Sequence, residues 1–175
     1  WEVRTGRCMQ VFTFGDQGDV VQRVAWCPRR ELGLVAVAVG KRVVLVPVKL
    51  SEAAYVAATE ALEAVAGNGD GGDGGEEEEE EEGDAAAGKP ATWALDKAVV
   101  TSSAGAPVPA VAIKHSFEVK DVSWHAAGDY FSSVCPKGNT KAVLVHQLSK
   151  GHSQNPFRKN KGIVARAMFH PTKPF

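Results

Sequence analysis

Val119-Lys-Asp-Val-Ser-Trp-His125 stands in this chain in three versions, with Val21-Gln-Arg-Val-Ala-Trp-Cys-Pro28 upstream and Val164-Ala-Arg-Ala-Met-Phe-His-Pro171 downstream. Trp124 and Phe169 are 45 residues apart; Trp26 and Trp124 are 98 apart, which is two periods or one period plus an insertion of about 53. In each copy valines and an aromatic alternate with polar residues, so one side of an extended strand is aimed into a core. Short strands recurring every roughly 40–45 residues are the signature of WD-type propeller blades. The expected fold is therefore all-β: a partial WD-repeat β-propeller, about three blades of a ring of about seven, with a short helix and a disordered acidic insertion.

Outward from the first copy, Met9 to Phe14 reads as an outer strand and Leu32 to Val39 as a strand covered on both faces, because its run is almost wholly apolar. Gly40-Lys41 is a hairpin turn into Val43 to Val48. Ser51 then has the character of an N-cap with Glu52 behind it, and the Ala-rich stretch that follows places Tyr55, Ala58, Leu62 and Val65 on one side of a helix. Residues 1–50 are thus the end of one blade and most of the next. Residues 51–110 are an insertion: a helix at about 51–66, a disordered acidic tract at 67–90 and irregular chain at 91–110. Residues 111–163 supply the delayed fourth strand and one further blade, and 164–175 the truncated start of another.

Charge is unevenly spread. Residues 67–88 carry ten acids, Glu76 to Glu82 among them, and no base, leaving 20 Lys and Arg against 11 acids elsewhere. Such a tract buries almost no apolar surface and repels itself, so it does not offset its ordering entropy. From Ile113 onward ten bases face three acids, and all five histidines lie there. A basic surface of this kind fits an anionic partner, or simply a solvated rim. Cys8, Cys27 and Cys135 are odd in number and widely spaced, which fits a reducing compartment. No apolar run approaches the ~20 residues that a membrane-spanning helix needs, and no membrane partner is expected.

Catalytic and metal patterns are weak. His125 and His170 are one repeat apart, which gives their spacing a structural cause; His146 and His152 read as flanking a turn, with no second pair at ligand spacing. Ser102, Ser103, Ser132 and Ser133 lack a nucleophile elbow, and Gly67-Asn-Gly-Asp-Gly-Gly72 lacks the strand-turn-helix setting of a phosphate loop. A non-enzyme without metal or cofactor is expected. The richest candidate surface is Ser149 to Gly162, read as an exposed connection. Its candidate contacts are Lys150, His152, Gln154, Asn155, Phe157, Arg158, Lys159 and Lys161: bases that track phosphates, amide donors, and one ring able to stack on an unpaired base. The alternative is that Phe157 packs between blades and the bases only solvate the rim.

Val143-Leu-Val-His-Gln-Leu-Ser-Lys150, Ser153-Gln-Asn-Pro-Phe-Arg-Lys-Asn-Lys-Gly162 and Phe169-His-Pro-Thr-Lys-Pro-Phe175 closely resemble the C-terminal WD-repeat domain of the block-of-proliferation (eukaryotic ribosome biogenesis) family. Trp1-Glu-Val-Arg-Thr-Gly-Arg-Cys8, Val24-Ala-Trp26, Trp124-His125 and Gly128-Asp-Tyr130 share that likeness, which covers about residues 1–50 and 112–175. The resemblance implies a scaffold of the nucleolus and nucleoplasm in large-subunit (60S) maturation and precursor rRNA processing. Its implied partners are a pescadillo-type protein, a WD-repeat protein with a ubiquitin-like domain, and pre-60S particles with their precursor rRNA. The glutamate tract departs from the family pattern. A general WD adaptor, such as a ubiquitin-ligase substrate receptor reading an acidic peptide, is the competing expectation, and affinity purification separates the two.

Overall fold

The computed structural model describes residues 4–14, 20–68, 90–96, 99–101, 107–157 and 162–172. Among the described residues the fold is mostly β, with two antiparallel sheets, a two-stranded ribbon and one α-helix, and no sheet closes on itself. Strand β1 (Phe12–Phe14) belongs to the ribbon. It is followed by β2 (Val21–Trp26), β3 (Leu34–Val39), β4 (Arg42–Pro47) and helix α1 (Glu52–Asn68). Then come β5 (Thr92–Asp96), β6 (Val99–Thr101), β7 (Ala110–Lys114), β8 (Asp121–Trp124), β9 (Tyr130–Val134), β10 (Val143–Gln147) and β11 (His152–Gln154).

The first sheet has the order β2-β3-β4-β7-β5 and the second β11-β10-β9-β8, so each runs outward from one copy of the repeated motif. All six residues of β3 are buried. Leu34, Ala36 and Ala38 enter the core shared with the second sheet and α1, while Val35, Val37 and Val39 enter a second cluster with Phe12 and Phe14 on the opposite face. A strand covered on both sides has no polar alternation to show, which is why its sequence is an unbroken apolar run.

Helix α1 begins where Ser51 caps it: the Oγ accepts from the Ala54 N–H at 3.1 Å, and Lys49 pairs with Glu52 at 2.9 Å. Its buried residues Ala54, Ala58, Leu62 and Val65 make one stripe, which lies on the core. The helix extends through Asn68, so Gly67 and Asn68 form its last turn rather than the start of the acidic tract. The expectation of disorder for 69–89 lies outside the described residues.

Within residues 91–110, expected to be irregular, residues 92–96 and 99–101 form strands. They contribute β5, which pairs with β7 along Thr92↔Lys114 to Asp96↔Ala110, and β6, which pairs with β1. Thr-Trp-Ala-Leu-Asp shows no clean period because Trp93 and Asp96 are both buried while Leu95 is exposed. The third copy of the motif, within 162–172, forms no strand, because no described segment pairs with it.

Candidate functional site

Two of the three motif copies form edge strands, β2 and β8, and the third packs beside the second. Aligned on Trp26, Trp124 and Phe169, the position three residues earlier holds Arg23, Asp121 and Arg166. Asp121 pairs with Arg23 at 3.2 Å through Oδ1 and with Arg166 at 3.3 Å through Oδ2. Each aromatic also reaches the preceding copy, by different contacts: the Trp124 indole N–H donates to the Ala25 carbonyl at 3.1 Å, and the Phe169 ring meets His125 edge-on at 5.4 Å. His125 Nδ1 accepts from the Ala127 N–H and His170 Nδ1 from the Thr172 N–H, both at 3.2 Å. The periodic histidines therefore have one local job, closing the turn after each copy.

The Ser149 to Gly162 stretch is divided by the fold. Leu148 to Lys150 form a 3-10 turn, Gly151 adopts φ +58°, and His152 to Gln154 form β11 rather than an exposed connection. Glycine suits Gly151 twice: it relieves the left-handed backbone, and a Cβ there would sit 3.0 Å from the Val65 side chain of α1. Asp129 fixes this end, accepting from Gln147 Nε2 (3.0 Å), Ser149 N (2.9 Å) and Ser149 Oγ (3.0 Å). Burial alone would raise its pKa, but those bonds outweigh it and lower the pKa.

At the other end of β11, Asn155 donates to the Thr140 carbonyl at 2.8 Å and accepts from the Phe157 N–H at 3.2 Å. That turn leaves the Phe157 ring 49% exposed. Lys150 and Phe157 thus lie at opposite ends of β11, with roughly 13 Å of extended chain between Gly151 and Asn155 at ~3.3 Å per residue. His152 and Gln154 are exposed on the strand, and Arg158, Lys159 and Lys161 lie outside the described residues. An exposed ring on a fixed turn can stack on a base, and Lys150 lies at the other end of β11 from it.

Sequence reading missed a buried polar chain. His146 does not flank a turn: it lies within β10, wholly buried. Trp124, Phe131, His146 and Ser153 are in register across the four strands of the second sheet, and Trp93 of β5 closes over the row from the first sheet. Five hydrogen bonds link Ile113 O, His115, Ser133, His146, Ser153 and Trp93 at 2.8–2.9 Å. Burial pushes the pKa of His115 down to about 4, and burial with the neighbouring His115 pushes His146 well below the usual imidazole value. The available signal was Ser133 and His146 beside apolar residues on two strands, where buried polar groups demand partners.

Other chemistry is sparse. Among the described residues no group of three or more His, Cys, Asp or Glu is arranged to hold a metal ion, and no helix is long and apolar enough to cross a membrane. Cys27 and Cys135 are buried thiols with pKa raised by burial, Cys135 to about 12, which makes them poor nucleophiles.

The fold defines a class: a mostly β protein of antiparallel sheets with one α-helix, in which edge strands β2 and β8 meet through Asp121 and Trp124. No family model matches the chain. Over its whole length it is 48% identical to a Ribosome biogenesis protein BOP1 homolog of Chlamydomonas reinhardtii, covering 19% of that protein. It is 37% identical to the BOP1 homolog of Aedes aegypti and 35% to that of Drosophila ananassae, with 99% of the chain matched and 18% and 20% of those proteins covered. The chain is a homologue of the BOP1 ribosome biogenesis proteins and corresponds to a C-terminal portion of them, about a fifth of their length.

Proposed function

We propose that this chain is part of a WD-type β-propeller that serves as a non-catalytic scaffold in ribosome biogenesis, in large-subunit maturation and precursor rRNA processing. The observation that carries the reading is the match of the entire chain, insertion included, to the BOP1 homologues. The repeat-to-repeat docking supports the propeller: the Trp124 strand meets the Ala25 strand as the Phe169 copy meets the strand before it. Trp26 is 55% exposed on the side where the same rule places a preceding copy. The proposed partners are a pescadillo-type protein, a WD-repeat protein with a ubiquitin-like domain and pre-60S particles, met in the nucleolus and nucleoplasm.

Direct contact with precursor rRNA is proposed for the Phe157 end of β11, where an exposed ring precedes Arg158, Lys159 and Lys161. RNA affinity of the full-length protein, measured against salt, tests it. Changing the three bases to Ala should flatten the slope of log affinity against log salt by about two units, at ~0.7 per phosphate on single-stranded RNA. Lys150→Ala, at the opposite end, should leave the slope unchanged. An unchanged slope for the triple variant removes RNA from this end. Co-purification with ligase subunits in place of ribosome-assembly factors would instead favour the adaptor reading.

A further inference from the structure

Strand register brings several bases to one end of both sheets. In the first sheet Arg42, just after the Gly40-Lys41 turn, is in register with Lys114 at the end of β7. In the second sheet Val134 is in register with Val143 and Asp121, which puts the turn from β9 to β10 beside the start of β8. The connection 115–119 joins the two sheets at this end. The His115 N–H donates to the Lys41 carbonyl at 2.8 Å, the Val119 N–H to the Gly40 carbonyl at 2.9 Å, and the Lys120 N–H to the Val134 carbonyl at 2.8 Å.

The charge at this end is not neutralised. Lys41, Lys114 and Lys137 are exposed and Lys141 is half-buried, and none of the four makes an ion pair among the described residues. The acids close by are already matched, Glu118 with Lys120 and Asp121 with Arg23 and Arg166. At the opposite end of the sheets Arg29 and Lys49 are matched instead, by Glu31 and Glu52.

Two exposed rings share the basic end. Phe117, in the connection between the sheets, is 38% exposed and lines one crevice with His115 and Lys141. Its carbonyl accepts from the Cys135 thiol at 3.6 Å, which ties the connection to the end of β9. On the other side of Lys141, the Thr140 carbonyl accepts from Asn155 Nδ2 at 2.8 Å, and Asn155 in turn holds the Phe157 N–H. The Asn139–Lys141 turn therefore stands between the two rings, with a lysine on it and further lysines beyond Phe117. Rings interleaved with bases suit an unpaired nucleic-acid strand: the rings stack on bases and the ammonium groups track phosphates. A duplex keeps its base faces stacked inside and offers such rings nothing.

We infer that the RNA site at Phe157 continues over the Asn139–Lys141 turn to Phe117, Lys114 and Lys41, and that its ligand is an unpaired RNA strand. This extension rests on the reading of the Phe157 end as an RNA contact. Both sheets then contribute to one site, and Lys137 flanks it from the turn between β9 and β10.

Fluorescence anisotropy of the full-length protein with a short oligouridylate, and with the same strand paired to oligoadenylate, tests the extension. Changing Lys41, Lys114 and Lys137 together to Ala should flatten the slope of log affinity against log salt by about two units on the single strand, at ~0.7 per phosphate. Phe117→Leu keeps an apolar side chain in the crevice but has no ring, and should weaken single-strand binding by about tenfold. Phe117→Tyr, which keeps the ring, should bind as the unaltered protein does. An unchanged slope with full affinity in Phe117→Leu overturns the extension; a slope still flattened by changing Arg158, Lys159 and Lys161 then leaves the Phe157 end standing without it. The reverse pattern, with only the Lys41, Lys114 and Lys137 variant flattened, removes the Phe157 end and upholds the Phe117 side. Equal losses in Phe117→Leu and Phe117→Tyr, or a duplex bound as tightly as the single strand, overturn the stacking of an unpaired strand.

Discussion

At the residue scale the buried chain is expensive to interrupt. Ser153→Ala leaves His146 Nδ1 and the Trp93 N–H without their shared partner, both inside the core. Two orphaned groups should cost about 2–4 kcal/mol in denaturant unfolding, well above the usual value for losing one hydroxyl. His115 adds a pH term with a definite sign. Its folded pKa lies below the unfolded value, so its contribution is fully present above pH 6.5 and is lost as pH falls toward about 4. Between pH 7.5 and 5 this one group should remove about 2 kcal/mol, seen as a lower urea midpoint at pH 5. Asp121 differs, because both of its arginines are about half exposed and solvent screens them. Asp121→Ala should cost about 1–2 kcal/mol, and Arg23→Ala or Arg166→Ala less than about 1, read by the same unfolding assay. The −3 register of these three residues was legible in the repeat itself. The Trp93–Ser153 bond was not, since the residues stand 60 positions apart with no shared pattern.

Elements show the same division between local and distant causes. The helix was visible from Ser51, Glu52 and one apolar stripe, all local signals, and removal of the cap by Ser51→Ala should cost about 1 kcal/mol of stability. Strand β3 was visible because burial on both faces leaves a continuous apolar run. Strands β5 and β6 were hidden. Strand β6 exists because of a partner far along the chain, β1, and β5 because of β7, and three or five residues of mixed burial carry no period. For β11 the obstacle was composition: His-Ser-Gln beside prolines, glycines and lysines reads as a connection, and only inward Ser153 identifies a strand. Its effect on function is geometric, since it parts Lys150 from Phe157.

For the whole molecule, the ribbon leaves part of the first sheet's outer face uncovered. A cavity of about 530 Å³ opens there among Met9, Phe12, Phe14, Val24, Trp26 and Leu50, and several of these side chains are exposed. Patches of this kind drive association. The 175-residue chain alone should self-associate in sedimentation experiments, whereas a longer version that includes the preceding part of the protein should be monomeric. Monomeric behaviour of the short chain at tens of micromolar would count against a missing neighbour on that face.

Asp121 between Arg23 and Arg166 also bears on how many repeats can be joined. From one copy to the next the sign runs plus, minus, plus. Such a series is two-coloured, and two colours can alternate around a closed circle only when its members are even in number. In the proposed ring of about seven such an alternation would have to fail at one seam, where two neighbours would carry the same sign or one would carry none.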